Sequence, residues 1–139
     1  MLECLIVGDS IAVGVAQHRP ECIRYAKGGI NSWQWNRQYR DAYLDSQVVV
    51  ISLGSNDHRG VKTLRELEQL RERVTAHRVY WVLPHGNLKA SSVPISTIQA
   101  WVKEVADKYN DTVLPIAHPS SDGIHPSTRG YKHLAEQAR

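Results

Sequence analysis

The chain has 139 residues, 42% hydrophobic and 22% charged, with a formal net charge of +3. This is the composition of one globular domain over residues 1–139, large enough to bury a core, and it excludes disordered and fibrous classes. No apolar run is long enough to cross a bilayer. The densest basic stretch, Arg65 to Arg78, is interleaved with Glu66, Glu68 and Glu72, which predicts a solvated helix face and no nucleic-acid partner.

Leu2 to Val7 is a short apolar run closed by Gly8, the pattern of a buried strand. It carries no basic n-region and no small-residue cleavage site, so cytoplasmic synthesis without a signal peptide is expected. Carriage in a phage particle or by a specialised export route stays open. Ile11 to His18 reads as the helix that follows, and Glu21 to Ala26 as a weaker strand. Cys4 and Cys22 fall in these first two strands. Buried free thiols are expected of them in a reducing compartment, since a bridge requires neighbouring strands in suitable register.

After a loop at Gly28-Gly29, Trp33 to Tyr43 reads as a helix, alone or with a turn. Gln47 to Leu53 contains Val48-Val49-Val50-Ile51, the strongest strand signal in the chain. Val61, Leu64, Leu67, Leu70 and Val74 recur every three or four residues, marking an amphipathic helix. Val79 to Leu83 predicts a strand closed by Pro84 and a Gly86-Asn87 turn. Ile95, Ile98, Trp101, Val102, Val105 and Tyr109 line the next helix. Thr112 to Ile116 is a last short strand. Pro126 then opens a closing helix marked by Tyr131, Leu134 and Ala138. Strands alternating with helices predict an α/β fold whose parallel sheet is covered on both faces. Ligands bind such sheets at the carboxyl ends of the strands.

Three polar segments fall at those ends. Gly8-Asp9-Ser10 offers a hydroxyl at a helix N-terminus, whose free N–H groups favour a growing oxyanion. Asp122 and His125, three residues apart in a glycine- and proline-bearing loop, offer an acid and an imidazole that it can orient. Gly54-Ser55-Asn56-Asp57 offers the amide of Asn56 as an oxyanion donor. Each segment alone also reads as a helix cap or a turn. Their joint occurrence at strand exits makes one site for acyl transfer the better account. Neither His58 nor His85, both at strand ends, has the partners for a metal site, and no cofactor is expected. No phosphate-cradling glycine run follows the first strand, which argues against a nucleotide or flavin binder.

These segments resemble the SGNH hydrolases, also called the GDSL esterase/lipase superfamily. The match covers the first block at Gly8-Asp9-Ser10, the third at Gly54-Ser55-Asn56-Asp57 and the fifth at Asp122-Gly123-Ile124-His125-Pro126. The resemblance implies a flavodoxin-like three-layer α/β/α sandwich with a five-stranded parallel sheet in strand order 2-1-3-4-5. It implies Ser10 as nucleophile, His125 as base and Asp122 as its acid. The oxyanion hole would be formed by the Ser10 N–H, a glycine N–H and the Asn56 amide.

For the glycine, Ala26-Lys27-Gly28-Gly29-Ile30-Asn31 is similar to the Ala-Lys-x-Gly stretch of SGNH domains in cell-wall and polysaccharide O-acetyltransferases, which favours Gly29. Alignment to the Gly-Ile-Ser-Gly form of lysophospholipase-type members would put Ser32 there instead. Asp9, Ser32, Trp33 and His58 are candidates for a substrate rim, and Trp35 and Tyr39 either join it or cover the sheet. The expected activity is metal-independent hydrolysis of a short acyl ester, acetyl foremost, on a small molecule or a carbohydrate. An O-acetyltransferase with the same residues and a non-catalytic carbohydrate-binding domain are the alternatives. Oligomeric state is left open.

Overall fold

In the computed structural model, which describes residues 2–86 and 92–139, ten elements alternate along the chain. They are β1 (Leu2–Gly8), α1 (Ser10–Gln17), β2 (Ile23–Ala26), α2 (Ser32–Gln38), β3 (Asp45–Ser52), α3 (Thr63–Glu72), β4 (Thr75–Val82), α4 (Ile95–Tyr109), β5 (Thr112–Leu114) and α5 (Thr128–Gln137). The five strands form one parallel sheet in the order β2-β1-β3-β4-β5, as the family resemblance implied. The Asn87 half of the expected Gly86-Asn87 turn lies outside the described residues.

Successive strand side chains point to opposite faces, so the apolar runs of β1 and β3 feed two cores at once. Leu5, Val7, Val49 and Ile51 pack beneath α2, α3 and α4 with Trp35, Leu67, Leu70, Ile98 and Val102. Cys4, Ile6, Val48 and Val50 pack on the other face with Ile11 and Val15 of α1 and Leu134 of α5. This two-faced burial explains why the central strands read as continuous apolar runs.

Strand order reverses across β1 and β3, the crevice where ligands bind in such sheets. Gly8 ends β1 at φ +139, and a Cβ there would run into the Ser52 carbonyl. That carbonyl accepts the Asp9 N–H at 3.0 Å, while the Gly8 carbonyl accepts the Lys27 N–H at 3.0 Å. Glycine thus lets the chain leave β1 pinned to both neighbours, and Ser10 starts α1 at the reversal.

The structure corrects two expectations and decides a third. Cys4 and Cys22 are not free: they form a disulfide, with Cα atoms 4.8 Å apart. Leu5 pairs with Ile23, so Cys4 on β1 and Cys22, which lies just before β2 and not within it, stand side by side. Of the two forms expected from Trp33 to Tyr43, the structure has the short helix with a turn: α2 ends at Gln38, where the Arg73 guanidinium takes the carbonyls of Tyr39, Arg40 and Ala42 at 2.9–3.1 Å. Pro126 precedes the last helix and does not lie in its first turn. It bridges to Pro119, and Ser127 caps α5 by accepting the Gly130 N–H.

Candidate active site

Asp9 caps α1. Its Oδ1 accepts the Ile11 N–H at 3.0 Å and the Ser52 hydroxyl at 3.1 Å, and its main-chain carbonyl accepts the Val13 N–H. Of the four N–H groups that a helix leaves without internal partners, the cap therefore engages that of Ile11, and the Ser10 N–H stays clear of it. That N–H lies beside the Ser10 hydroxyl, where negative charge would develop.

The Ser10 Oγ is 2.9 Å from His125 Nε2, and His125 Nδ1 is 2.7 Å from Asp122 Oδ2. An ionised carboxylate only accepts, so Nδ1 carries the proton and Nε2 turns a lone pair to the serine hydroxyl. Asp122 Oδ1 accepts from the Ile124 N–H at 2.7 Å, the His125 N–H at 2.8 Å and the Ser120 hydroxyl at 2.9 Å. The imidazole, these N–H groups and the hydroxyl hold the carboxyl well below its ordinary pKa, so Asp122 is ionised at neutral pH. The three residues converge from opposite ends of the chain into one hydrogen-bonded line.

The loop bearing Asp122 and His125 is braced from both sides. Its ends are tied by the Ser120 N–H on the His125 carbonyl at 2.7 Å and the Ser127 N–H on the His118 carbonyl at 2.8 Å. Across the site, His85 Nδ1–H donates to the Gly123 carbonyl at 2.6 Å. Sequence reasoning saw His85 only as a histidine at a strand end; its partner is 38 residues away and has no local signal.

Asn56 follows β3, and its Nδ2 donates to the Ile30 carbonyl at 3.0 Å. One amide hydrogen is engaged by that bond, leaving the second for a ligand. The same bond ties the loop after β3 to the glycine loop after β2. Within the glycine loop, a Cβ on Gly28 would meet Ser10 Cβ at 3.9 Å, so the loop borders the hydroxyl. Gly29 has φ +78, and no main-chain partner takes the Gly28 or Gly29 N–H among the described residues. A cavity of about 290 Å³ opens beside them, lined also by Lys27, Ile30, Gln34 and Gln38.

Several residues expected at the rim are elsewhere. Ser32 is fully buried; Asp57 Oδ1 accepts its N–H at 2.9 Å and Asp57 Oδ2 its hydroxyl. With both donors engaged, Ser32 is neither a rim residue nor the alternative oxyanion donor. Asp9 is also fully buried and forms no rim. Its Oδ2 has no hydrogen-bond partner, and burial lifts its pKa from 3.8 to about 7, against the opposing pull of the Ile11 and Ser52 bonds. Trp35 lies in the core with its indole N–H on the Tyr25 carbonyl, and Tyr39 stacks against it. Trp33 and His58 are exposed, and His58 Nδ1 accepts the Gly60 N–H.

Asp57 is a residue that sequence reasoning missed. Beyond Ser32 it accepts the Thr63 hydroxyl at 2.8 Å, joining the starts of α2 and α3 to the residue after Asn56. The only local signal for this is an acidic residue next to the amide.

Comparison with known proteins gives a consistent result. The profile of the GDSL-like Lipase/Acylhydrolase family matches residues 6–133. Among curated proteins, none matches the chain. A GDSL-like lipase from Bacteroides thetaiotaomicron superposes with a TM-score of 0.71 at 17% identity, over 99% of this chain and 89% of that one. The C-terminal catalytic domain of peptidoglycan O-acetyltransferase A from Streptococcus pneumoniae gives 0.70 at 18% identity, over 96% and 88%. An acetyl xylan esterase gives 0.66 at 15% identity, over 96% of each chain. These likenesses show a shared fold, and the profile covers nearly the whole sequence. The chain belongs to the GDSL-like lipase/acylhydrolase family, the SGNH class of ester hydrolases.

Proposed function

We propose that the protein is a serine esterase that removes short acyl groups, acetyl foremost, from a carbohydrate through an acyl-enzyme on Ser10. The hydrogen-bonded line Ser10–His125–Asp122 carries the reading. Ser10 Oγ attacks the ester carbonyl while His125 Nε2 takes its proton, and the anionic Asp122 stabilises the resulting imidazolium. The tetrahedral oxyanion is held by the N–H groups of Ser10 and Gly29 and the second hydrogen of the Asn56 amide. The intermediate collapses, the alcohol leaves with the proton from His125, and the acyl group remains on Ser10. Water then attacks the acyl carbon with His125 again as base, releasing the acid and restoring the serine.

An open site supports the short acyl group. The side chains of His125 and Asp122 are 38% and 47% exposed, so little protein is present to cover a long chain. The carbohydrate part is supported by relatives named for acetyl xylan and peptidoglycan. With an alcohol in place of water the same cycle transfers the acyl group, and product analysis with acceptor sugars separates the two outcomes. The Cys4–Cys22 bridge supports work in an oxidising compartment, which the export route or phage particle left open by the sequence would provide.

The test is hydrolysis of p-nitrophenyl acetate, longer-chain p-nitrophenyl esters and acetylated xylo-oligosaccharides by wild type and Ser10→Ala. Turnover is expected to favour acetyl and to fall by about 10⁴-fold or more in the variant. A Ser10→Ala protein with the wild-type rate overturns the mechanism.

A further inference from the structure

A second polar cleft lies between α2 and α3, on the Asn56 side of the candidate active site. Its volume is about 270 Å³, and its lining includes Trp33, Arg37, Gly60, Lys62, Arg65 and Glu66. Trp33 is 49% exposed, unlike the fully buried Trp35 and Trp81. The Arg37 guanidinium lies 4.6 Å from the centre of the Trp33 ring and holds it in place.

The charge of this cleft is not what the sequence suggested. Glu66, one of the three acids expected to offset the basic residues of this stretch, is turned inward and buried. It pairs with Arg37 at 2.6 Å and accepts from Asn36 at 2.9 Å. Arg37 is thereby neutralised, whereas Lys62 and Arg65 are exposed, with no carboxylate at ion-pair distance among the described residues. An exposed indole beside two unpaired cations fits a ring with apolar C–H faces and a negative substituent.

The cleft is also rigidly registered to the candidate active site. Asp57 holds Ser32, the residue before Trp33, and Thr63, the residue after Lys62. Both walls therefore hang on the neighbour of Asn56, so a bound group keeps a fixed place relative to the oxyanion donor.

We propose that this cleft is an accessory subsite for a negatively charged sugar of a glycan, with Trp33 stacking on the ring and Lys62 and Arg65 meeting its anionic group. The proposal rests on the esterase reading, because a polymer that presents both an acyl ester and acidic groups is an acidic glycan. A single-stranded nucleic acid also suits an aromatic beside cations, but it carries no acyl ester for Ser10.

The test is calorimetric titration of the wild-type protein with unacetylated oligogalacturonide, a neutral xylo-oligosaccharide and a single-stranded DNA oligomer. None of these has an ester, so binding is read without turnover, and inactivity on p-nitrophenyl acetate would sink the esterase reading separately. The oligogalacturonide is expected to bind most tightly and to weaken with added salt. Lys62→Gln/Arg65→Gln is expected to lower its affinity about tenfold, and Trp33→Ala by a similar factor, with melting curves confirming that both fold. Unchanged affinity in the folded double variant overturns the subsite. So does neutral-sugar binding as tight as that of the acidic oligomer, or tighter binding of DNA.

Discussion

Asp9→Asn tests whether the carboxyl beside the nucleophile is a buried acid. In the native fold it is fully buried, Oδ2 lacks a partner, and its pKa stands at about 7 against 3.8 for a free side chain. Between those values the folded protein binds more protons at this position than the unfolded chain does. Stability must then fall as pH rises through the window, opposite to the usual behaviour of a paired carboxylate. Below the lower value the contribution vanishes, and above the upper one the cost is fully present. From about pH 5 to pH 8 the loss is on the order of 2–3 kcal/mol.

Asparagine keeps the oxygen that accepts from Ile11 and Ser52 but has no charge to bury. Its pH-independent effects cancel when the two proteins are compared at two pH values. Urea unfolding followed by tryptophan fluorescence, which reports on buried Trp35 and Trp81, gives the four stabilities needed. The variant's advantage over wild type should grow by about 2–3 kcal/mol from about pH 5 to pH 8. A difference independent of pH, or one that shrinks, would refute the reasoning.

Other outcomes follow from the same geometry. Reduction of Cys4–Cys22, which closes a loop with a sequence separation of 18, should cost about 3 kcal/mol and about 10 °C of melting temperature. Identical melting with and without reductant would remove the bridge from the account. Asn56→Ala should lower kcat for p-nitrophenyl acetate about 10²–10³-fold, since in the proposed mechanism the amide holds the oxyanion, and it also anchors the glycine loop through Ile30. On the proposed mechanism, His85 positions the loop of Asp122 and His125 through its bond to the Gly123 carbonyl. Its replacement by Leu should lower kcat about tenfold with little change in KM, and Asn should restore part of the loss; a change in KM alone would contradict that role.

The parts of the fold legible in the sequence are those whose cause is local. The apolar runs of β1 and β3 are buried on both faces, and the α4 periodicity marks Ile95 to Tyr109 because one stripe of that helix faces the core. Gly8 announces the turn that exposes Ser10 because only glycine tolerates the approach to Ser52. The first half of β4 was not legible. β5 pairs only with Tyr80 to Val82, so residues 75–79 have a neighbour on one side alone and show no apolar run.

The remaining differences depend on partners distant in sequence. Arg73 holds the turn after α2 from more than 30 residues away, Asp57 draws Ser32 out of solvent from 25 residues away, and the bridge of Cys4 depends on strand order. Asp9 illustrates the limit within the candidate site itself. Its pattern allows a helix cap and a substrate rim, and the burial of its carboxyl decides for the cap.

The central claim is that His125 activates Ser10, and labelling with a fluorophosphonate followed by intact-mass and peptide analysis tests it most directly. The account predicts one adduct per chain, located on Ser10, with labelling lost in His125→Ala. A wild-type protein that stays unlabelled, or one that carries the adduct on another serine, would contradict it.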